Sequence, residues 1–326
     1  MEIGALAALI AALLWTCSSM LWARIDLPAG ALNLCKNIVG VFLIFAHMTA
    51  LFFVVDRALF QAPADAWLWL AISGLIGVAI GDTFYFRSLQ ILGPRRALMM
   101  ATTAPLFSAV LGFAILQEDL QFFAVVGIIV TILGVLVVIS DRKAKKESLN
   151  LHPGALRWGV ACGIGSSICQ AIGAVCAKRG MIGPSGVDIC DPVEATFIRL
   201  LVSAIASVVI VTVTGKIFSL SKQVFQWDLI KLLVPATALG TWLGIWLSQI
   251  AFRFSDVAIA QTLMSTCPLF AIPIVWYFHK QRVTLIAILG TVVAVIGIFM
   301  TVYDFDKVPI QLDPPALTTE QLDLIE

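Results

Sequence analysis

Residues 77–139 read GVAIGDTFYFRSLQILGPRRALMMATTAPLFSAVLGFAILQEDLQFFAVVGIIVTILGVLVVI, and the chain repeats the spacing of this stretch 163 residues later. The repeated positions are a first glycine pair, a Thr-x-Pro-Leu-Phe motif and a second glycine pair: Gly77/Gly240, Gly81/Gly244, Thr103/Thr266, Pro105/Pro268, Gly127/Gly290 and Gly134/Gly297. Because the offset is constant and has no gap, it predicts an internal structural repeat, which has to be recognised before a fold is assigned.

The composition is that of an integral membrane protein. Hydrophobic residues make up 60% of the chain and charged residues 13%, whereas soluble domains have about 45–50% apolar and about 25% charged residues. Apolar runs of about twenty residues recur along the chain, and a helix of that length crosses the bilayer core. The runs lack the polar/apolar alternation of a transmembrane barrel. A net charge of +1 and no basic tail argue against nucleic acid as a partner.

We predict an all-α polytopic membrane protein with ten transmembrane helices. The first half contains predicted helices at 3–22, 31–54, 67–87 and 96–116 and a fifth that ends near 140. The second half contains predicted helices at 156–177, 192–214, 230–252, 257–279 and 283–303. The first helix is too long for a signal peptide and lacks a basic start.

A charged linker separates the two halves. We predict a first five-helix repeat at 3–140, a linker at 141–155, a second five-helix repeat at 156–303 and an acidic, loosely ordered tail at 304–326. Because five is odd, the second half should enter the membrane upside down relative to the first. Inverted repeats of this kind are common in secondary transporters, where the solute site lies near the midplane between the halves.

The residues of the repeated stretch resemble a known family. The segment Gly81-Asp82-Thr-Phe-Tyr85-Phe86-Arg-Ser-Leu89, with Pro105-Leu-Phe, Glu118 and their second-half counterparts, is similar to the EamA-type branch of the drug/metabolite transporter superfamily. The resemblance covers residues 3–303 and implies a ten-helix carrier for small metabolites, amino acids or drug-like compounds. The intramembrane arginine common in the second helix of that family appears here as Lys36, and Arg199 retains it in the seventh helix.

The distribution of basic residues predicts the orientation. We call the side with both termini the terminal side and the side with the 141–155 linker the linker side. Predicted loops on the linker side hold fourteen Lys and Arg residues, including Arg95, Arg96 and Lys143–Lys146, against five on the terminal side. Since short basic loops stay in the cytoplasm, we expect the linker side to be cytoplasmic and the termini outside a plasma or inner membrane.

Ionisable residues inside the helices are the first candidates for function, because a charge within the bilayer is costly. Lys36 and Asp82 both lie in the linker-side halves of their helices and can meet. Their pair is interpreted either as a static contact between helices or as a gate and protonation switch. Arg199 has Ile245 where a matching acid would stand, so backbone carbonyls, Glu194, water or an anionic solute group have to serve as its partner.

Other candidates are polar and aromatic residues deep in the helices. Trp242, Trp246 and Gln249 share one helix face by their spacing. The full set proposed to contact solute or line the cavity is Trp15, Ser19, Asp82, Tyr85, Thr103, Gln170, Arg199, Trp242, Trp246, Gln249 and Thr266. Pro105 and Pro268 are predicted to kink helix interiors, since proline removes an amide hydrogen bond. For the aromatic residues and the kinks, the alternative is a role in packing or lipid contact alone. Glu118 is expected to lie at a solvated helix end.

No catalytic constellation, metal motif or Walker A sequence is present, so we expect neither an enzyme nor a cofactor nor a metal site. The favoured function is a secondary transporter that works by alternating access, and we expect an exporter. Coupling to a proton or a counter-solute is compatible with this reading. A flippase for lipid-linked solutes and a passive small-solute channel are the alternatives.

Overall fold

The computed structural model describes residues 2–55, 60–92, 97, 100–140, 153–183, 186–213, 227–267, 269–270 and 285–302. Within these ranges the chain forms helices, short connections and one isolated antiparallel bridge between Ile182 and Asp188. The helices are α1 Glu2–Trp22, α2 Ala29–Val55, α3 Ala64–Leu92, α4 Ala104–Leu116, α5 Phe122–Ser140, α6 Pro153–Met181, α7 Pro192–Val213, α8 Trp227–Phe254, α9 starting as Val257–Met264, and α10 Leu285–Val302.

Six of these helices, α1, α2, α3, α6, α7 and α8, are long and apolar enough to cross a membrane, and α4, α5 and α10 contain shorter apolar helices. The all-α prediction is confirmed and the ten-helix layout fits. The predicted end of α3 near residue 87 is too early, because the helix continues through the buried side chains of Ser88, Leu89 and Leu92. The predicted end of α9 lies outside the described residues.

The two halves interlock helix by helix. The first helix of each half packs against the third helix of the other half, as α1 with α8 and α6 with α3. The second, fourth and fifth helices pack against their equivalents, as α2 with α7, α4 with α9 and α5 with α10. Every helix therefore packs against a helix of the other half, and residues at the boundary between halves come from both repeats.

Helices α5 and α10 cross through the second glycine pair. A methyl group at Gly127 would lie 2.7 Å from the carbonyl oxygen of Gly297, and one at Gly134 would lie 2.8 Å from that of Gly290. The lower-numbered glycine of α5 thus faces the higher-numbered glycine of α10, so the two helices run antiparallel. Small residues allow this close approach of two backbones.

Helices α3 and α8 each contain a π-helical segment at the repeated position, Gly74–Ile80 and Ala238–Leu243. The first glycine pair of each half lies inside this segment and directly after it. The wider turn of a π-helix disturbs the regular hydrogen-bond ladder, and such segments are frequent at functional sites. The repeat therefore conserves a backbone irregularity as well as residues.

A break in the helix precedes α4 and recurs in α9. Thr102 and Thr103 form a turn in which the amide of Thr103 donates to the carbonyl of Met100 at 3.0 Å. The amide of Leu106 donates to the carbonyl of Thr103 at 3.1 Å. The corresponding bonds in α9, from Thr266 to Leu263 and from Leu269 to Thr266, measure 3.2 and 2.8 Å.

Pro105 occupies the first turn of α4, not the helix interior that the sequence predicts. In the first turn the missing amide has no intrahelical partner to lose, so proline is well accommodated there. The break thus lies before the proline, at Thr102 and Thr103. Pro268 lies outside the described residues.

Candidate functional site

Lys36 of α2 and Asp82 of α3 form a buried ion pair, with Nζ 2.7 Å from Oδ2. Only 2% of the Lys36 side chain is exposed, whereas 19% of the Asp82 side chain is exposed. The other oxygen of Asp82 accepts a hydrogen bond of 2.9 Å from Nε2 of Gln170 in α6. Asp82 therefore joins helices from both halves and keeps partial access to its surroundings.

Two asparagines, which the sequence reading does not single out, support this pair. The side-chain oxygen of Asn37 accepts from Lys36 Nζ at 2.8 Å, and the Asn37 amide donates to Ser203 at 2.7 Å. Asn33 is fully buried and donates to the carbonyl of Ala79 at 2.8 Å, inside the π-helical segment of α3. Asn33, Lys36 and Asn37 lie at i, i+3 and i+4 on α2, a polar stripe in an otherwise apolar helix that could have revealed them.

Trp15 and Gln170 make corresponding contacts in the two halves. The indole Nε1 of Trp15 donates to the carbonyl of Gly240 at 2.7 Å, and Nε2 of Gln170 approaches the carbonyl of Gly77 at 3.4 Å. Gly77 and Gly240 are related by the 163-residue offset, whereas Trp15 and Gln170 are related by an offset of 155. The same carbonyl is thus contacted in each π-helical segment, by an aromatic donor in one half and an amide in the other.

Arg199 of α7 is buried, with 4% of its surface exposed. Its Nε and Nη1 atoms have no hydrogen-bond partner within the described part of the chain. Glu194, one of the partners considered from the sequence, instead accepts from the amides of Gln61 and Ala62 at 3.2 and 2.9 Å. The Arg199 guanidinium lies beside Gly77 and within electrostatic range of Asp82.

The serine and threonine hydroxyl groups of the predicted cavity residues donate to carbonyls three residues earlier in the chain. Ser19, Thr103 and Thr266 donate to the carbonyls of Thr16, Met100 and Leu263 at 2.9, 2.7 and 2.6 Å. Tyr85 is half-buried and packs against Phe86, with ring centroids 5.8 Å apart.

Hydroxyls from α1 and α6 reach the breaks in α9 and α4. Thr16 donates to the carbonyl of Cys267 at 2.9 Å, and Ser167 donates to the carbonyl of Met100 at 2.7 Å. Carbonyls without a regular helical partner are satisfied in this way. Thr16 therefore links α1 to the break in α9, and Ser167 links α6 to the break before α4, so each bond joins the two halves.

Trp242 and Trp246 pack against His47 of α2. Their ring centroids lie 5.9 and 4.8 Å from that of His47, both edge to face. The sequence reading assigns no role to His47. Gln249 is fully buried, and its side-chain oxygen has no partner among the described residues. The structure thus separates the α8 tryptophans from the Asp82 cluster.

Ion pairs join the halves on the terminal side. Nζ of Lys178 lies 2.6 Å from Oε1 of Glu118, and Oε2 of Glu118 accepts the amide of Val257 at 3.0 Å. The expectation that Glu118 is a solvated helix end is wrong, because only 7% of its side chain is exposed. Its burial raises the pKa of the Glu118 carboxyl above the ordinary value, although Lys178 acts in the opposite direction. Glu118 is buried because the α8–α9 connection folds over the α4–α5 loop that carries it.

A cavity of about 220 Å³ lies on the terminal side, between the loop at Gln61 and the loop at residues 188–191. Arg253 lines it and pairs with Asp188 at 2.6 Å, and Asp191 and Glu194 line it as well. Its charges are thus already paired with one another or with loop amides. The cavity is separate from the Lys36–Asp82 pair, which lies in the linker-side halves of its helices.

Comparison with known proteins gives a family and a fold. The model of the EamA-like transporter family matches the chain twice, over residues 2–140 and 157–303. A solved structure titled "Crystal structure of protein" superposes with a TM-score of 0.69, at 17% sequence identity, over 93% of this chain and 97% of that chain. No curated protein matches the sequence. With its apolar helices and two family matches, the chain is a multi-pass membrane protein that belongs to the EamA-like transporter family, whose members are transporters of the drug/metabolite superfamily and not enzymes.

Proposed function

We propose that the protein is a secondary carrier that moves a small organic solute by alternating access. The observation that carries this proposal is the Asp82 cluster, where Lys36, Asp82 and Gln170 meet at the boundary between halves. Paired ionisable groups at membrane depth mark solute and ion pathways. Asp82 is also partly exposed, as a group that contacts solute has to be.

The two halves are proposed to be inverted repeats. The antiparallel crossing of α5 and α10 supports this. Gly127 faces Gly297 and Gly134 faces Gly290, as a two-fold relation between the halves requires. The breaks at residues 102–103 and 265–266 support it too, since discontinuous helices surround the solute in many transporters built from inverted repeats.

The terminal-side contacts are proposed to be a closed gate. The pairs Lys178–Glu118 and Glu194 with the 61–62 amides each join one half to the other. Rocking one half against the other would have to break these pairs, so they stabilise the state that is closed on the terminal side.

Solute counterflow in proteoliposomes tests the carrier. Purified protein is reconstituted with an unlabelled solute pool inside, and uptake of labelled solute from the same pool is followed. A carrier gives saturable uptake that internal solute accelerates, whereas a channel does not saturate. A flippase moves lipid-linked solutes instead. Lack of saturable exchange for every pool, with folded protein in the liposomes, would refute the carrier.

A matched pair of glutamine variants locates the activity. Gln170→Leu removes the donor to Asp82 and should reduce exchange at unchanged protein yield. Gln90 lies near the end of α3, outside the cluster, and donates to the carbonyl of Leu27. Gln90→Leu removes this bond and should leave exchange unchanged.

Orientation and direction are part of the proposal. With the basic linker side in the cytoplasm and both termini outside, a reporter enzyme fused to the C-terminus should show activity typical of the exterior. Export predicts that overexpression lowers the cellular content of the solute and raises its concentration in the medium. A reporter signal typical of the cytoplasm, or accumulation inside cells, would contradict these two points separately.

A further inference from the structure

Two buried cations and one carboxylate share the boundary between α2, α3 and α7. Lys36 is paired with Asp82, but Arg199 has no carboxylate within salt-bridge distance among the described residues. The reason lies in the repeat: Lys36 and Arg199 are equivalent positions, whereas the equivalent of Asp82 is Ile245. The second half thus has a cation, Arg199, but no carboxylate at the position equivalent to Asp82.

This cation cannot be relieved by loss of a proton. Arginine stays charged in proteins and carries five N–H donors, so burial without a partner is costly. The donors of Nε and Nη1 have no protein acceptor in the described chain, and the group is more than nine-tenths buried. An anion from outside the protein would supply the missing partner.

Arg199 lies at the contact between α3 and α6, next to the Asp82 cluster. Nη2 of Arg199 lies 3.5 Å from the place that a methyl group at Gly77 would take, and Cα of Gly173 in α6 lies 3.1 Å from the same place. Gln170 reaches both the carbonyl of Gly77 and Asp82, and Asp82 is partly exposed. The guanidinium therefore adjoins the cluster, and a motion of the halves that loosens the contact between α3 and α6 would open it to a solute.

We propose that Arg199 binds the carboxylate group of the transported solute, with its planar donors facing the two carboxylate oxygens. This inference rests on the proposed carrier function and adds the solute's chemical class. A planar carboxylate matches the guanidinium fork in two parallel hydrogen bonds. It supplies one negative charge, which balances the second cation of the cluster.

Thermal unfolding of the purified full-length protein tests binding directly. The probes are matched pairs of a carboxylate and its neutral amide, such as isovalerate with isovaleramide and phenylacetate with phenylacetamide, plus chloride, at constant ionic strength. We expect at least one carboxylate, but neither its amide nor chloride, to raise the unfolding temperature. Protection by chloride or by the amide to the same degree, or by none of the carboxylates, would overturn the proposal.

Variants assign the effect to Arg199. Arg199→Met removes the buried charge and fills the space, so it should fold and lose the carboxylate protection. Arg199→Lys keeps the charge but not the fork, and it should weaken binding by about tenfold or more. Arg253→Gln is the control, because Arg253 is already paired with Asp188 on the terminal side and should keep the protection. Protection that survives in Arg199→Met would exclude this site.

Counterflow separates this inference from the carrier itself. Saturable exchange of neutral or cationic solutes that Arg199→Met leaves intact would overturn the carboxylate site and leave the carrier standing. Carboxylate protection that depends on Arg199, without exchange of any pool, would support the site and refute the carrier.

Discussion

Asp82 is the residue at which the two halves differ most in chemistry. It accepts from Lys36 and Gln170 with its two oxygens, and its equivalent in the other half is Ile245. A buried ion pair adds little net stability, because desolvation offsets the attraction, but removal of one partner leaves a costly lone charge. Stability alone therefore does not explain the pair.

A double-mutant cycle on Lys36 and Asp82 separates structure from transport. Asp82→Asn alone leaves Lys36 charged and buried, so we expect a loss of about 3 kcal/mol in the free energy of unfolding. Lys36→Met alone should destabilise less, because Asp82 is partly exposed. The double variant Lys36→Met/Asp82→Asn should recover most of the stability, measured by thermal unfolding in detergent.

Exchange measured on the same three variants decides the role of Asp82. If the pair acts in transport, the double variant stays inactive although its stability returns. An active double variant would show that the pair is only a contact between α2 and α3.

Glu118 should give the folded protein a pH dependence. Its folded-state pKa is raised by burial above the ordinary value of 4.5. Between the ordinary pKa and the raised pKa, the folded state binds more protons than the unfolded state. The free energy of unfolding therefore falls as the pH rises through this interval. We expect this fall above the ordinary pKa of the carboxyl in the wild type and a flatter profile in Glu118→Gln, from unfolding temperatures across the pH range. Asp119→Asn, at the exposed neighbouring position, should keep the wild-type profile.

At the scale of single helices, glycines determine how closely α5 and α10 approach. A methyl group at Gly134 would lie 2.8 Å from Cα of Ala294, and a backbone cannot move aside as a flexible side chain can. We expect Gly134→Ala to cost about 1–3 kcal/mol of stability through overpacking. Gly30→Ala in the first turn of α2 meets nothing within 4 Å, so it should stabilise by about 0.5–1 kcal/mol instead. Equal unfolding temperatures for both variants would contradict this packing.

The repeat and the helices follow from the sequence, because long apolar runs and a constant offset leave few other folds. The approach of Lys36 to Asp82 follows as well, since both lie at a similar depth. The partners of His47 and the burial of Glu118 do not follow. They depend on the rotation of α2 about its axis and on which loop covers which helix end, and neither is encoded in hydrophobic periodicity.

At the scale of the whole molecule, the interlocked helices make the halves interdependent. The face of α1 that carries Trp15 and Ser18 is covered by α8, and the glycine face of α3 is covered by α6. We expect residues 1–146 and residues 147–326 to be degraded when expressed separately and to assemble when expressed together. Size-exclusion chromatography of the affinity-purified pair measures this. A monodisperse, stable first half on its own would contradict the interlocked packing.

The bond from Trp15 to Gly240 spans 225 residues of the chain and has a consequence for biogenesis. At ribosomal speeds of about 5–20 residues per second, roughly 10–45 s pass between synthesis of its two ends. During that interval α1 lies in the lipid before α8 supplies the acceptor for the indole N–H of Trp15. Helices inserted early must therefore be held beside the translocation machinery, and slower translation of α6 to α8 should raise the fraction of nascent chains lost to membrane proteases.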